Sequence, residues 1–157
     1  MISASRVMKV GAKDFFDMLI DSVLYDIKQS TGKKISRNNF RKGTSYRKKI
    51  KSDSKFSRPI LVKVAVTQFD PPHLYEATFS GEKESSIIRY EVEELGEDKI
   101  KVTYKEQPQG GNPGGWMARK MAQRNLKSSL AHMEKAVIEH KAELEEKKKL
   151  DEKTVEE

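Results

Sequence analysis

The sequence contains no cysteine. Disulfide bonds, thiolate metal sites and cysteine nucleophiles are therefore excluded. It also has no apolar run close to the roughly 20 residues that a membrane-spanning helix needs, so we expect no transmembrane segment. The first ten residues, MISASRVMKV, lack the apolar stretch of a signal peptide. Together these absences predict a cytoplasmic protein.

Positive charge is concentrated in one part of the chain. The chain has 157 residues, which suits one domain with a substantial core. Charged residues make up 35% of it, and the formal net charge is +7. Residues 33–58 hold eleven Lys or Arg and a single acid, Asp53, so this segment carries +10 and the remainder sums to −3. The basicity is local and marks a candidate surface for anions.

Hydrophobic periodicity predicts the secondary structure. Apolar residues recur every three or four positions from Ala12 to about Thr31, which indicates a helix. Alternation of apolar and polar residues indicates strands, and we place them at 2–10, 44–50, 60–69, 74–79, 87–94 and 99–105. A Gly-rich loop from Gln107 to Gly115 precedes a long amphipathic helix that begins near Gly114.

These elements predict an α+β fold. Short connections make neighbouring strands antiparallel, and strands with one apolar face suit a sheet that is covered on one side. We therefore expect a curved antiparallel sheet wrapped around the long C-terminal helix, with the other helix between strands 1 and 2. This domain should occupy residues 1–140. Residues 141–157 should form a charged helical extension or tail.

Several segments resemble one known superfamily. They are the first strand and helix (Ile2–Thr31), the turn Asp70–Pro72 before His73–Glu76, the alternating run Ile88–Val92, and Lys101–Glu106 before the Gly-rich loop and terminal helix. In this order they resemble the START-like, or SRPBCC, helix-grip superfamily of polyketide-cyclase and lipid-transfer proteins. The chain also resembles a small bacterial family of unknown function with this fold. The resemblance covers about residues 1–140.

The resemblance implies an apolar cavity between the sheet and the C-terminal helix, holding a small hydrophobic or amphipathic ligand. It carries no universal catalytic residue. The candidate lining residues are inward strand positions and the apolar helix face: Tyr46, Val62, Val64, Tyr75, Ala77, Tyr90, Val92, Val102, Tyr104, Met117, Met121, Asn125 and Met133. All of them could instead be ordinary core. Buried tyrosine hydroxyls, which need partners, and adaptable methionines favour the cavity. The Gly110–Gly115 loop is either its gate or a plain linker.

The basic segment supports an alternative function, binding of nucleic acid or an anionic surface. Its candidate contacts are all cationic: Lys33, Lys34, Arg37, Arg41, Lys42, Arg47, Lys48, Lys49, Lys51 and Lys55. Phe40, Tyr46 and Phe56 lie between them and could stack on bases. No RNA-binding signature is present, and the charges could equally serve solubility and pairing with acidic residues.

No residue is assigned a catalytic role, and we expect neither a metal nor another cofactor. His132 and His140 lie two helical turns, about 12 Å, apart, too far to share a metal ion. Strand parity places Glu76 and Glu91 on the outer face rather than in the cavity. A cyclase or hydrolase on the same fold is a third hypothesis, which a buried carboxylate beside a donor in the pocket would support. We expect a binding protein rather than an enzyme, as a monomer or homodimer.

Overall fold

The computed structural model describes residues 2–50, 59–82, 84–109 and 126–156. Its strands and long helices follow one another along the chain as β1 (Ile2–Met8), α1 (Ala12–Thr31), β2 (Ser45–Ile50), β3 (Ile60–Asp70), β4 (Leu74–Ser80), β5 (Ser85–Gly96), β6 (Lys99–Gln109) and α2 (Leu126–Glu156). A 3₁₀ turn at Arg37–Asn39 lies between α1 and β2.

Helix α1 forms where the periodicity predicts it. Its apolar stripe includes Phe15, Phe16 and Ile27, each at most 1% exposed, because these positions fall on one side of a 3.6-residue repeat. The helix ends at Gly32, which adopts a left-handed conformation with φ of 73°. The Gly32 N–H donates to the carbonyl of Lys28 at 2.9 Å, which closes the last turn.

The six strands form one antiparallel sheet in the order β1-β6-β5-β4-β3-β2. Strands β1 and β2 are therefore its edges. The register places Tyr90 of β5 opposite both Tyr75 of β4 and Tyr104 of β6. Alternate residues point to opposite faces, so these three rings share the inner face. The predicted α+β architecture is confirmed: a curved antiparallel sheet, a long C-terminal helix and a helix between strands 1 and 2.

One end of the inner face is densely packed. Val62, Val64 and Val66 of β3 are at most 2% exposed. Phe40, which precedes β2, and Phe69 of β3 meet edge to face with ring centroids 5.1 Å apart. Phe16 of α1 lies 6.4 Å from the Phe69 ring. Helix α1 therefore covers the β2–β4 end with interlocking apolar side chains.

The end of β6 differs from the prediction. Strand β6 continues to Gln109, so residues 107–109 are strand rather than loop. The Gly-rich stretch 110–115 and the start of the long helix lie outside the described residues. Helix α2 is described from Leu126 to Glu156, and its side chains from Lys141 to Lys153 are exposed. The division at residue 140 stays a prediction. In the described ranges, neither helix combines the length and apolar character that a bilayer crossing requires.

Candidate functional site

A cavity of about 400 Å³ lies where α1, α2 and the inner face of β5 and β6 meet. Its volume falls in the range of small-molecule sites. The wall is mostly apolar with a few polar groups, and the residues that form it are Met18, Leu19, Ser22, Tyr90, Tyr104, Leu126, Ser129, Leu130, His132, Met133 and Ala136. Both helices and both strands contribute to this wall, so the site depends on how α2 is held over the fold.

Two tyrosines form the sheet side of the cavity. Tyr90 and Tyr104 are directly opposite each other in the β5–β6 register, and their ring centroids are 4.9 Å apart. Both are nearly buried, at 9% and 4% exposure. Phe15 of α1 packs behind Tyr90 at 6.2 Å. The rings are therefore fixed on both sides and present a rigid aromatic surface.

Glu106 is a buried carboxylate beside this aromatic surface. It is 3% exposed, and it accepts a hydrogen bond from the Tyr104 hydroxyl. Glu106 is absent from the predicted site because the strand was predicted to end at Lys105. Extending the alternation of Ile100, Val102 and Tyr104 by two residues would have placed Glu106 on the inner face. A buried carboxylate with a neighbouring donor is the arrangement that the enzyme hypothesis requires.

Three of the predicted lining residues, Tyr90, Tyr104 and Met133, form part of the cavity wall. The other strand positions are buried in the core, away from the wall that the described residues form: Tyr46, Val62, Val64, Tyr75, Ala77, Val92 and Val102. In the described residues, the main contacts of α2 are with β1 and α1. Met117, Met121 and Asn125 lie outside the described residues.

The cavity wall also includes residues that were not predicted to line it. Met18, Leu19 and Ser22 come from α1, and Leu126, Ser129, Leu130, His132 and Ala136 come from α2. The periodicity of α1 already indicated an apolar face. It could not show which part of that face would meet α2 rather than the sheet.

Tyr46 belongs to a polar cluster at the β2–β4 end of the inner face. Its hydroxyl donates to Asp26 Oδ2 at 2.5 Å, and Lys48 Nζ lies 3.1 Å from the same oxygen. Burial raises the pKa of Tyr46 far above its ordinary value, and the hydrogen bond to Asp26 adds to the shift. Burial and then the neighbouring Tyr90 raise the pKa of Tyr75 in the same direction. Both tyrosines are thus neutral structural groups.

Polar contacts at its edges hold α2 over the cavity. Glu134 of α2 accepts hydrogen bonds from Arg6 Nη2 at 2.8 Å, Arg6 Nε at 3.0 Å and the Lys9 backbone N–H at 2.8 Å. Partial burial opposes ionisation of Glu134, but the contacts from Lys9 and Arg6 outweigh it and lower the pKa of this carboxyl. One turn and a half further on, His140 Nε2 lies 2.8 Å from Asp21 Oδ2.

A second ion pair joins the helices beyond His140. Lys141 Nζ lies 3.4 Å from Asp14 Oδ2, and this carboxylate raises the pKa of Lys141. Contacts to β1 and to α1 thus hold the C-terminal end of the α2 segment that lines the cavity.

The structure divides the cations of the basic segment into two groups. Arg37 is paired with Asp17 at 3.1 Å and with Asp21, and Lys48 is paired with Asp26. The exposed group consists of Lys33, Lys34, Arg41, Lys42, Arg47 and Lys49; Lys51 and Lys55 lie outside the described residues. The rings of Phe40 and Tyr46 are buried, so the expectation that they stack on bases is wrong. Phe56 also lies outside the described residues.

Glu76 and Glu91 lie on the outer face, as their parity predicts. Glu91 Oε1 is 3.1 Å from both Arg89 Nε and Lys105 Nζ, and Glu76 accepts a hydrogen bond from Thr67. Across the described part of the chain, no three His, Asp or Glu side chains converge on a position where a metal could sit.

Solved structures share this fold at low sequence identity. The protein Mll3558 from Rhizobium loti is 18% identical, with a TM-score of 0.58 over 84% of this chain and 94% of its own. A START superfamily protein from Mycobacterium smegmatis is 16% identical, with a TM-score of 0.58 over 88% of this chain and 97% of its own. These likenesses show the START-like fold that the sequence predicted.

The fold also occurs in an enzyme. A point mutant of norcoclaurine synthase from Thalictrum flavum, in complex with a transition-state analogue, is 14% identical, with a TM-score of 0.58 over 89% of this chain and 94% of its own. A comparison with curated proteins finds no significant match. The sequence model of one family, described as a domain of unknown function, matches residues 2–125. The chain therefore belongs to the DUF3284 family and has the START-like, helix-grip fold.

Proposed function

We propose that this protein binds a small hydrophobic or amphipathic molecule in the cavity between β5–β6 and the two helices. The observation that carries the proposal is the cavity itself, about 400 Å³ with a mostly apolar wall. Apolar groups easily displace solvent from such a space, because each Å² of apolar surface removed from water contributes about 25 cal/mol of favourable free energy. The START superfamily protein and the synthase mutant with its transition-state analogue share the architecture.

The size and composition of the wall restrict the ligand. One water molecule takes about 30 Å³ of liquid, so a 400 Å³ cavity holds about a dozen water-sized groups. This is the size of a bicyclic aromatic molecule or of a medium-length alkyl chain. Tyr90 and Tyr104 supply aromatic contact, while Met18 and Met133 can adapt their shape.

Filling the cavity tests the proposal. Ser129 of α2 lines the cavity and is half-buried, whereas its neighbour Ser128 is exposed and is not one of the wall residues. In Ser129→Phe the aromatic ring occupies ligand space, while Ser128→Phe adds the same ring outside it. The wild type and both variants would be purified from the native host and measured by native mass spectrometry.

We expect wild type and Ser128→Phe to retain a bound small molecule and Ser129→Phe to lose it. Retention by all three would place the molecule elsewhere on the protein. A bare polypeptide mass in every sample would contradict the proposal.

A second candidate function is binding of a polyanion to the outer face of β2 and β3. Arg47 and Lys49 of the edge strand are exposed there, and Lys63 of β3 lies directly opposite Arg47. Within the described ranges, none of the three has an acidic partner. Like charges placed opposite each other destabilise a sheet, so an anion that neutralises them would be favoured.

Salt dependence tests the second candidate. Affinity for a 20-nucleotide RNA should fall steeply as salt rises, and should drop again in a variant with Arg47, Lys49 and Lys63 changed to Gln. An exposed triple variant on α2, with Lys147, Lys148 and Lys149 changed to Gln, is the matched control for lost net charge. Equal loss in both variants would show that total charge alone is responsible.

A further inference from the structure

We infer that the free edge of β2 binds an extended acidic segment of another protein, which adds a strand to the sheet. The edge is separate from the cavity, so this inference does not rest on the ligand-binding proposal. It shares Arg47 and Lys49 with the second candidate function. It adds a requirement that a nucleic acid does not meet, namely backbone hydrogen bonds from a paired strand.

Strand β2 is an edge of the sheet, and its far side is open in the described part of the chain. Strand β3 pairs with one side of it, and no other described strand pairs with it. The opposite edge differs, because α2 packs against β1 and Glu134 accepts a hydrogen bond from the Lys9 backbone N–H just after that strand. In β2, Ser45, Arg47 and Lys49 are exposed. An open edge of this kind is a template for pairing with another chain.

The hydrogen-bond register shows which backbone groups of β2 face this edge. The Val66 N–H donates to the Thr44 carbonyl at 2.8 Å, immediately before β2. In an antiparallel pair, hydrogen-bonded and non-hydrogen-bonded positions alternate. From Thr44 onward every second residue is therefore bonded to β3. This leaves the N–H and C=O groups of Ser45, Arg47 and Lys49 directed to the free edge.

The side chains beside this edge select the charge of the partner. Arg47 and Lys49 lie on the outer face, and Lys63 of β3 is directly opposite Arg47. A second copy of this chain, paired antiparallel through β2, would bring these cations against each other, and like charges directly opposite destabilise a sheet. A strand with Asp or Glu at alternate positions would instead place its carboxylates on the same face as the cations. The charge therefore disfavours self-association and favours an acidic partner.

A labelled peptide of the same length as β2, six residues, tests the inference. Glu alternates with Thr in this peptide, because Glu matches the cations and Thr favours strands. Dissociation constants would be measured by fluorescence anisotropy on the full chain.

Methylation of the peptide nitrogens separates pairing from charge. In the antiparallel pairing that the rest of the sheet uses, the Glu residues lie opposite Arg47 and Lys49 and their N–H groups donate to β2, whereas the Thr N–H groups point away. N-methylation of the Glu residues thus removes hydrogen bonds to β2. N-methylation of the Thr residues is the matched control, because it leaves the charge and those hydrogen bonds unchanged.

Two variants of Arg47 make the same separation on the protein. Arg47→Gln removes the charge and keeps the backbone N–H, whereas Arg47→Pro also removes an N–H that faces the free edge. The bonds to β3 stay in both variants, because the Arg47 N–H is directed away from β3, and proline is tolerated at such edge positions. Thermal melting establishes that each variant folds. If Arg47→Pro does not fold, the comparison of methylated peptides on the unchanged protein decides the question.

We expect N-methylation of the Glu residues to weaken binding by about tenfold or more, as the loss of two hydrogen bonds should. N-methylation of the Thr residues should leave the dissociation constant within about twofold. Arg47→Gln should weaken binding about twofold to fivefold, and Arg47→Pro about threefold to tenfold beyond that.

Two results would overturn the inference. Equal loss with both methylated peptides, or equal binding by the folded Arg47→Gln and Arg47→Pro variants, would show that charge alone attracts the peptide. The cations would then serve a polyanion such as RNA, as in the second candidate function. No binding of the unmethylated peptide to the wild type would also overturn the inference, and it would leave the cavity proposal intact.

Discussion

The two ends of the inner face make an instructive comparison. We call the inner face of β2–β4 with Phe16, Phe40 and Phe69 the packed end, and the inner face of β5–β6 with the facing parts of α1 and α2 the cavity end. Both ends follow the same alternation of inward apolar residues. In the described part of the chain, the 400 Å³ space lies at the cavity end. Alternation thus determines which side chains are inside, and the covering helix determines whether they enclose a ligand-sized space.

The two ends are also held together by different forces. At the packed end, three phenylalanines interlock with ring centroids 5.1 to 6.4 Å apart. At the cavity end, α2 is anchored by polar contacts of Glu134, His140 and Lys141 to β1 and α1. Apolar packing depends little on pH or salt, whereas charged contacts depend on both. The anchor of α2 should therefore respond to pH, whereas the contacts among the phenylalanines should not.

The largest expected effect is the difference in lost unfolding free energy between a substitution at the packed end and one at the cavity end. Phe16→Ala removes a ring that is 1% exposed and should cost about 3–5 kcal/mol of unfolding free energy. Met133→Ala, a half-buried cavity-lining change, should cost only about 1–2 kcal/mol, because the space beside it already exists. Urea denaturation measures both values. Equal losses would mean that the two ends are packed alike.

A smaller effect is expected at the anchor of α2. Glu134→Gln keeps the shape of the side chain but removes its charge, so the contacts to Arg6 and Lys9 weaken. Hydrogen bonds to charged groups contribute about 1.5–3 kcal/mol when buried. Arg6 is 42% exposed, so solvent screening reduces the expected loss to about 1 kcal/mol at neutral pH.

The pH dependence of this loss has a definite sign. The folded-state pKa of Glu134 is lowered from its ordinary value of 4.5. The ionised carboxylate therefore stabilises the fold above that value, and the contribution disappears as pH falls through the lowered folded-state pKa. Wild type and Glu134→Gln should differ at pH 7 and converge in acid, as measured by urea denaturation across pH. A constant gap down to pH 2 would contradict the assignment.

The smallest expected effect lies on the outer face, where Lys63 is opposite Arg47. Lys63→Glu replaces a like-charge pair by an ion pair and should raise stability by about 0.2–1 kcal/mol. Lys101→Glu is the control with the opposite expected sign, because Lys101 is opposite Glu93 and the change creates a like-charge pair. Thermal melts at low salt should move in opposite directions. Shifts of the same sign would show that cross-strand charge is not the cause.

Much of this fold was predictable because its signals are local. The period of three and four from Ala12 to Thr31, with Gly32 after it, gave both ends of α1. Alternation along each strand gave the face of Tyr90, Tyr104 and Glu91. These predictions depend on neighbours along the chain, and such neighbours are visible in a sequence.

The cavity was less predictable because it depends on distant pairs. Met18 and Ser129 share one wall although 111 residues separate them, and no local pattern states where α2 crosses α1. Val62 and Tyr90 have equivalent alternation, yet only Tyr90 faces the space. Glu106 was missed for a local reason, since the strand was predicted to end at Lys105, one residue before it.

The central claim is that a small molecule enters the cavity end. Methionine methyl groups labelled with ¹³C report on it directly by NMR, because Met18 and Met133 line the cavity while Met8 is fully buried outside its wall. Titration with 2-naphthol should shift the Met18 and Met133 signals and leave Met8 in place. Unmoved signals at Met18 and Met133, or an equal shift at Met8, would contradict the account.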